Sequence, residues 1–330
     1  MIDRRAFLSS TALMLLGAAL PRSSFALTPT GGRLVFGVPL NGARGSIGHT
    51  LGNGALDILA AQFGLRYQMD VVDGRNTLQA SESVKLATPD GSTLLQTQSG
   101  SMVLFPAMYK ALKYDPMLDF TPLAYLGDYA YAFSVGPAVP ASVTNIDQYL
   151  SWIGQNPDYR DVGFSLYGSQ AHLIALMLAR GKEVALRAQS YKSAGAIFND
   201  LNSKTLAAAI TVAGNVPLLG AGIARPLAVS GSQRLEAWPN VATFKEQGLK
   251  DIVIDGWYGW YAPSHTPADT VRVLTDKINA MVATAQFLAL QKKLLIGPRI
   301  LTPSQISQRM REEIASNQKL VASYNLSRIV

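Results

Sequence analysis

The chain has 330 residues, 48% of them hydrophobic, and a formal net charge of +7. That size fits about two domains with full cores and excludes a chain too polar to fold. It contains no cysteine, which excludes disulfides, thiolate catalysis and cysteine-based metal sites. Lys and Arg are scattered, with no basic run interleaved with aromatics, so nucleic acid is not expected as a partner. At the N-terminus, Asp3-Arg4-Arg5-Ala6-Phe7-Leu8 carries a twin-arginine pattern. An apolar run at 12–20 and small residues around Ala26 complete an export signal, with cleavage expected near Ala26 and a periplasmic destination. The run is too short to stay as a membrane-spanning helix. Without residues 1–26 the chain loses three arginines and one aspartate, which leaves +5.

Residues 34–38 read as a short buried strand. Asn41, Gly42 and Gly45 read as a turn, and Ser46 as the N-cap of a helix whose apolar positions are Ile47, Leu51, Ala55, Ile58, Leu59 and Phe63. A strand that turns into a helix N-terminus leaves backbone N–H groups unpaired, and the helix dipole adds positive potential there. Arg44 adds a planar cation suited to a carboxylate. The stretch 39–46 is therefore a candidate half-site for a small anion. Gly48, Gly52 and Gly54 disfavour a helix, which predicts that this helix lies close to a sheet.

Strand and helix then alternate. Strands are predicted at 66–72 and 92–97, with a helix at 78–87 and a sharp turn at Thr88-Pro89-Asp90-Gly91. The polar loop Gln98-Ser99-Gly100-Ser101 leads into a short helix ending at Tyr109. Residues 123–135 form an apolar strand that carries the chain elsewhere. A helix at 145–153 and a strand at 162–166 follow. Tyr167, Gly168, Ser169 and Gln170 then turn into an apolar helix at 171–178, repeating the opening arrangement. Further strands are expected at 186–191, 205–212, 226–230 and 257–261, with helices at 193–201, 269–286 and 303–322. Such alternation predicts parallel sheets flanked by helices, with ligands at the carboxyl ends of strands.

An ordered set of motifs adds to this. Thr88-Pro89-Asp90-Gly91-Ser92-Thr93-Leu94-Leu95, Pro106-Ala107-Met108-Tyr109, Tyr114-Asp115-Pro116, Gly168-Ser169-Gln170-Ala171-His172-Leu173, Tyr191-Lys192-Ser193-Ala194, Trp238-Pro239-Asn240-Val241 and Trp257-Tyr258-Gly259 stand in sequence. Together they resemble the tripartite tricarboxylate transporter substrate-binding proteins, the Bug family. The resemblance implies an α/β type II periplasmic binding protein fold: two α/β lobes with a central cleft and hinge. Residues 27–127 and 226–330 would form one lobe, and 128–225 the other. It implies a small organic anion, a carboxylate, held by Asn41, Gly42, Ala43, Arg44, Gly45, Ser46, Gln98, Ser99, Gly100 and Ser101 of the first lobe. From the second would come Ser165, Tyr167, Gly168, Ser169, His172, Thr211 and Val212. The partners implied are membrane permease subunits of a tripartite tricarboxylate transporter.

The sequence departs from the family pattern in its first loop, where Arg44 replaces a glycine and Ser46 an aspartate. Thr211 stands where amino-acid binders carry an aspartate, which points to a ligand without an ammonium group. His49, His172 and His265 lack metal-ligand spacing, so no metal and no cofactor are expected. Two alternatives share the sequence features. One is a sensory protein that presents the same cleft to a membrane receptor. The other is an exported nucleotide-cofactor oxidoreductase, raised by the glycines at 42, 45 and 48 and weakened by their spacing.

Overall fold

The computed structural model describes residues 29–38 and 45–330. The export segment at 1–26 and Asn41, Gly42, Ala43 and Arg44 lie outside the described residues. Nine strands form one sheet, eight along a single path and one beside it, in which the chain builds two half-sheets. The first half holds β1 (Gly31–Val38), β2 (Arg66–Asp73), β3 (Thr93–Gln98) and the start of β4 (Phe120–Val135). The second half holds the end of β4, β5 (Asp161–Ser165), β6 (Arg187–Tyr191), β7 (Ala208–Val212) and β8 (Arg225–Val229). β9 (Asp255–Pro263) returns to the first half. Leu34, Val35, Phe36 and Val38 are all buried because β1 lies between parallel β2 and β3 with both faces covered.

The helices follow in chain order as α1 (Ile47–Phe63), α2 (Leu78–Lys85), α3 (Phe105–Met108), α4 (Ile146–Gln155) and α5 (Gln170–Gly181). They continue as α6 (Ala194–Asn202), α7 (Asn215–Leu219), α8 (Ala268–Val282), α9 (Ala285–Lys293) and α10 (Pro303–Ser323). Among the described residues no helix is long and apolar enough to cross a membrane. The single helix expected at 269–286 is two. Thr284 breaks it, donating its hydroxyl to the Met281 carbonyl and accepting the Phe287 amide at 3.2 Å as the N-cap of α9. The short helix expected after residue 101 opens as a π-turn over Gly100–Leu104 before α3.

Gly48 and Gly52 of α1 have the expected cause, close packing on the sheet, whereas Gly54 makes room for Leu290 of α9. A Cβ at Gly48 would lie 2.5 Å from the Phe36 ring, at Gly52 2.3 Å from Met69, and at Gly54 2.5 Å from Leu290. Gln96 uses the space so made. Its amide donates to the Gly48 carbonyl at 2.6 Å and accepts from the Trp260 indole at 2.8 Å. The buried glutamine is thus satisfied, and it fixes the N-terminal end of α1 over β3 and β9.

β4 joins the two halves. Along one edge it pairs with β9 as far as Ala130 and then with β8 from Ala132; along the other it pairs with β7 from Tyr131. β8, expected in the first lobe, therefore pairs within the second half-sheet. Where the chain crosses back, Ser230 joins three segments. It accepts the Tyr131 amide on its Oγ at 2.9 Å, donates its own amide to the Tyr131 carbonyl at 2.8 Å, and accepts the Ile254 amide at 2.9 Å. Gly127, at a bulge of β4, has φ +114°, and a Cβ there would lie 2.4 Å from Ile296 and 2.6 Å from the Gly297 carbonyl. Gly127→Ala is expected to lower stability by about 2–3 kcal/mol in urea unfolding, from left-handed strain and overpacking together. Gly154→Ala, in α4 with open space around it, should be neutral or stabilising by about 0.5–1 kcal/mol. Equal effects would contradict this account of β4.

Candidate ligand-binding site

The carboxyl ends of β1, β3, β5 and β7 meet at one cavity between the half-sheets. About 80 Å³ of it is open to the centres of water molecules. The first half contributes Val38, Ser46, Ile47, Thr77, Gln98 and Ser101. The second contributes Ser165, Leu166, Ser169, Ser193, Thr211 and Asn215. Every residue lining it, among those described, is uncharged.

Three helices point their N-termini at this space, each capped by a serine that lines it. Ser46 Oγ accepts the His49 amide at 3.4 Å, Ser169 Oγ the His172 amide at 3.4 Å, and Ser193 Oγ the Ala196 amide at 3.1 Å. Each cap satisfies one amide, while the first two helical amides of α1, α5 and α6 have no acceptor within their own helix. Together with the positive ends of helices of 17, 12 and 9 residues, they favour an anion in the cavity with no formal charge among its described lining residues. Tyr131 and Tyr258 complete the wall, and burial raises both phenols far above their ordinary range, so both stay neutral donors.

A buried network ties the two halves behind the cavity. Gln170, the first residue of α5, donates to Ser99 Oγ at 3.2 Å and accepts from the Tyr131 hydroxyl at 3.1 Å. Ser99 Oγ also accepts the Trp257 amide at 3.2 Å. Gly100 leaves room for this bridge, since a Cβ there would lie 2.4 Å from Gln170 Oε1.

Of the residues singled out from sequence, Ser46, Gln98, Ser101, Ser165, Ser169, Thr211 and Val212 line the cavity. Gly45 sits beside it in the left-handed region, at φ +87°. Ser99 and Gly100 stand in the bridge behind it. Tyr167, Gly168 and His172 do not line it. The His172 ring stacks on Phe164 at 4.6 Å and lies tilted against Tyr167 at 4.5 Å, and its Nδ1 accepts the Gly168 amide at 3.2 Å. Sequence reasoning missed Thr77, Ser193, Asn215, Tyr131 and Tyr258. Thr77 and Leu166 carry left-handed backbone, at φ +73° and +74°, without being glycine. Such strain collects at functional sites, and nothing in the residue types announces it. Ser193 was findable as an N-cap following a strand. Among the described residues no cluster of His, Asp and Glu could hold a metal ion.

Two half-sheets joined at crossing strands, with a donor-rich cavity between them whose described lining is uncharged, have the architecture of a two-lobed solute-binding protein. The chain belongs to the tripartite tricarboxylate transporter family receptors, matching that family over residues 68–326. Among curated relatives it is similar to BugT of Bordetella pertussis, 24% identical over 73% of this chain and 74% of that protein. It is also similar to a protein of the tcbD-tcbE intergenic region of Pseudomonas sp. strain P51, 27% identical over 79% of this chain and 78% of the other. Its fold matches the periplasmic binding protein BugD, with TM-score 0.81, 20% identity and coverage of 91% of this chain and 99% of that one. It equally matches Rhodopseudomonas palustris Rpa4515 with adipate, with TM-score 0.82, 24% identity and the same coverage. The family is one of transporter receptors, not of enzymes, so the oxidoreductase alternative falls.

Burial lowers the His172 imidazole to about 4, against about 6.5 in an unfolded chain. Above pH 6.5 it is neutral in both states and contributes nothing. As pH falls from 6.5 to 4 the unfolded state binds a proton that the fold refuses, so stability drops, by up to about 3 kcal/mol. Urea unfolding at pH 7 and 4.5 checks this. His172→Phe, which keeps the ring stack, should lose less stability over that interval than the wild type; equal losses would contradict the assignment.

Proposed function

We propose that this protein captures a small organic carboxylate between two lobes in the periplasm and delivers it to membrane permease subunits of a tripartite tricarboxylate transporter. The observation that carries this reading is the convergence of three capped helix N-termini on a cavity with no charged lining among the described residues. Preorganised amides and hydroxyls suit an anion and need no counter-charge. The adipate of Rpa4515 and the malate of MatC from R. palustris are small carboxylates of the same kind. In this reading one lobe holds β1–β3, β9 and α8–α10, the other β5–β8 and α4–α7. The chain crosses between them near Tyr131 and again over 230–254. Asn41, Gly42, Ala43, Arg44, Gly45 and Ser46, with Gln98 to Ser101, serve the ligand from the first lobe. Ser165, Ser169, Thr211 and Val212 serve it from the second, and Tyr167, Gly168 and His172 shape the loop around Ser169. Export by the twin-arginine route with cleavage near Ala26 belongs to the same reading, and the N-terminal residue of periplasmic protein checks it.

A ligand that binds only the folded form stabilises it by about 2.7 kcal/mol at a hundredfold excess over Kd. Thermal unfolding against mono-, di- and tricarboxylates should therefore raise the midpoint for one class of acid. Gly100→Val, which crowds Gln170, should weaken that response at least about tenfold in apparent affinity, because the two lobes no longer meet. A flat response to every carboxylate would overturn the reading.

A further inference from the structure

Beyond α10 the chain continues as a tail, residues 324–330, that touches both ends of α5. Near the last turn of α5, the Arg180 guanidinium lies over the Tyr324 ring, with Cζ 4.9 Å from its centre. At the other end, a Cβ at Gly168, one residue before the Ser169 cap, would stand 2.7 Å from Ile329 Cδ1. The stretch from Tyr324 to Ile329 reaches at most about 17 Å, and a helix of 12 residues is about 18 Å long.

The tail is attached to the two halves in different ways. Toward α3, which follows β3 of the first half, it is hydrogen-bonded. Ile329 donates its amide to the Met108 carbonyl at 2.7 Å and its carbonyl accepts the Lys110 amide at 2.8 Å, while Arg328 donates to the carbonyls of Pro106, at 3.3 Å, and Tyr109. Toward the second half it presents a ring face and an aliphatic tip. Contacts of that kind part and re-form without stranding a buried polar group. The loop they meet needs support. Leu166 has φ +74°, a left-handed backbone that a non-glycine residue keeps only where its neighbours hold it. Its carbonyl accepts the amide of Ser169, which lines the cavity, at 3.1 Å. Tyr109 and Met108 stand with Ile329 against Gly168, 3.7 and 3.8 Å from the same Cβ position.

We infer that this tail is a latch: anchored beside α3, it receives Gly168 and Arg180 as the halves close, and so positions the loop that carries Ser169. The inference rests on the two-lobed capture proposed above. Ile329 and Tyr324 are positioning residues, acting through Gly168, Leu166 and α5. Contacts that part when the halves separate slow opening and leave the first encounter with an acid unchanged.

Ile329→Ala and Arg180→Gln, singly and together, test this in the full chain. Succinate, malate, adipate and citrate are offered in turn, and release of the acid that most raises the melting temperature is followed by rapid mixing. The double variant should release it about five- to tenfold faster, with an association rate within about twofold of the wild type's. Arg180 is exposed, so Arg180→Gln alone should quicken release about twofold and leave the unliganded melting temperature unchanged. A second readout needs no acid. The chain has no cysteine, so Ala61→Cys in α1 and Gln155→Cys in α4, both exposed, place one spin label on each half. The distance distribution between the labels should shift toward an open form in the double variant. Unchanged release with unchanged label distances, whether or not the melting temperature falls, overturns the latch and leaves the carboxylate reading standing. Failure of every acid to bind overturns the carboxylate reading, and the label distances then decide the latch alone: a shift sustains it and no shift overturns it.

Discussion

An anion taken out of water must be met by donors already held in position, or its desolvation is not offset. In the proposed reading those donors are main-chain amides at the starts of α1, α5 and α6, each flanked by a serine cap. Main-chain donors lose no side-chain rotamer entropy on binding, and their direction is set by the helix. The cost moves to the scaffold, which must bring three helix starts from two half-sheets to one point. That is the task of the parallel strand–turn–helix units, whose carboxyl ends all open on the same side of each half-sheet.

The scaffold shows how that demand is met. Gly48 and Gly52 of α1 let the helix lie against Phe36, Met69 and Gln96, which sets the height of its N-terminus over the sheet. β4 runs through both halves, and Ser230 joins its midpoint to the returning chain. On the far side of the crossing, Arg309 of α10 donates to Asp128 at 2.9 Å and to Glu313 at 2.5 Å, with its guanidinium 5.2 Å above the Tyr125 ring. This clamp holds α10 against the first half of β4 where the strand is about to change partners. The chain passes between the halves twice, along β4 and again over 230–254, and rotation of the halves about these crossings belongs to the proposed capture of ligand. The Gln170–Ser99 bond spans the two halves.

Local signals made much of this legible. The strand–turn–N-cap pattern around Ser46 and Ser169 located two of the three helix starts, because capping chemistry is written in adjacent residues. The ordered motifs indicated the family and its two-lobed fold. Tyr131, Tyr258 and Thr77 were not legible, since they become neighbours only through the order β1-β3-β9-β4-β7-β5, which no single window contains. Asn215 read as a turn residue, and only its place after β7 brings it to the cavity. The break at Thr284 was hidden by an apolar period that continues across it. His172 carries a residue type associated with sites, yet its ring serves the packing between Phe164 and Tyr167.

The most direct measurement is a crystal structure of the protein with a bound carboxylate. The account predicts carboxylate oxygens within hydrogen-bond reach, about 3 Å, of the first amides of α1 and of α5 or α6, with both half-sheets touching the ligand. A carboxylate seated outside this cavity, or inside it with none of those amides in reach, would contradict the account.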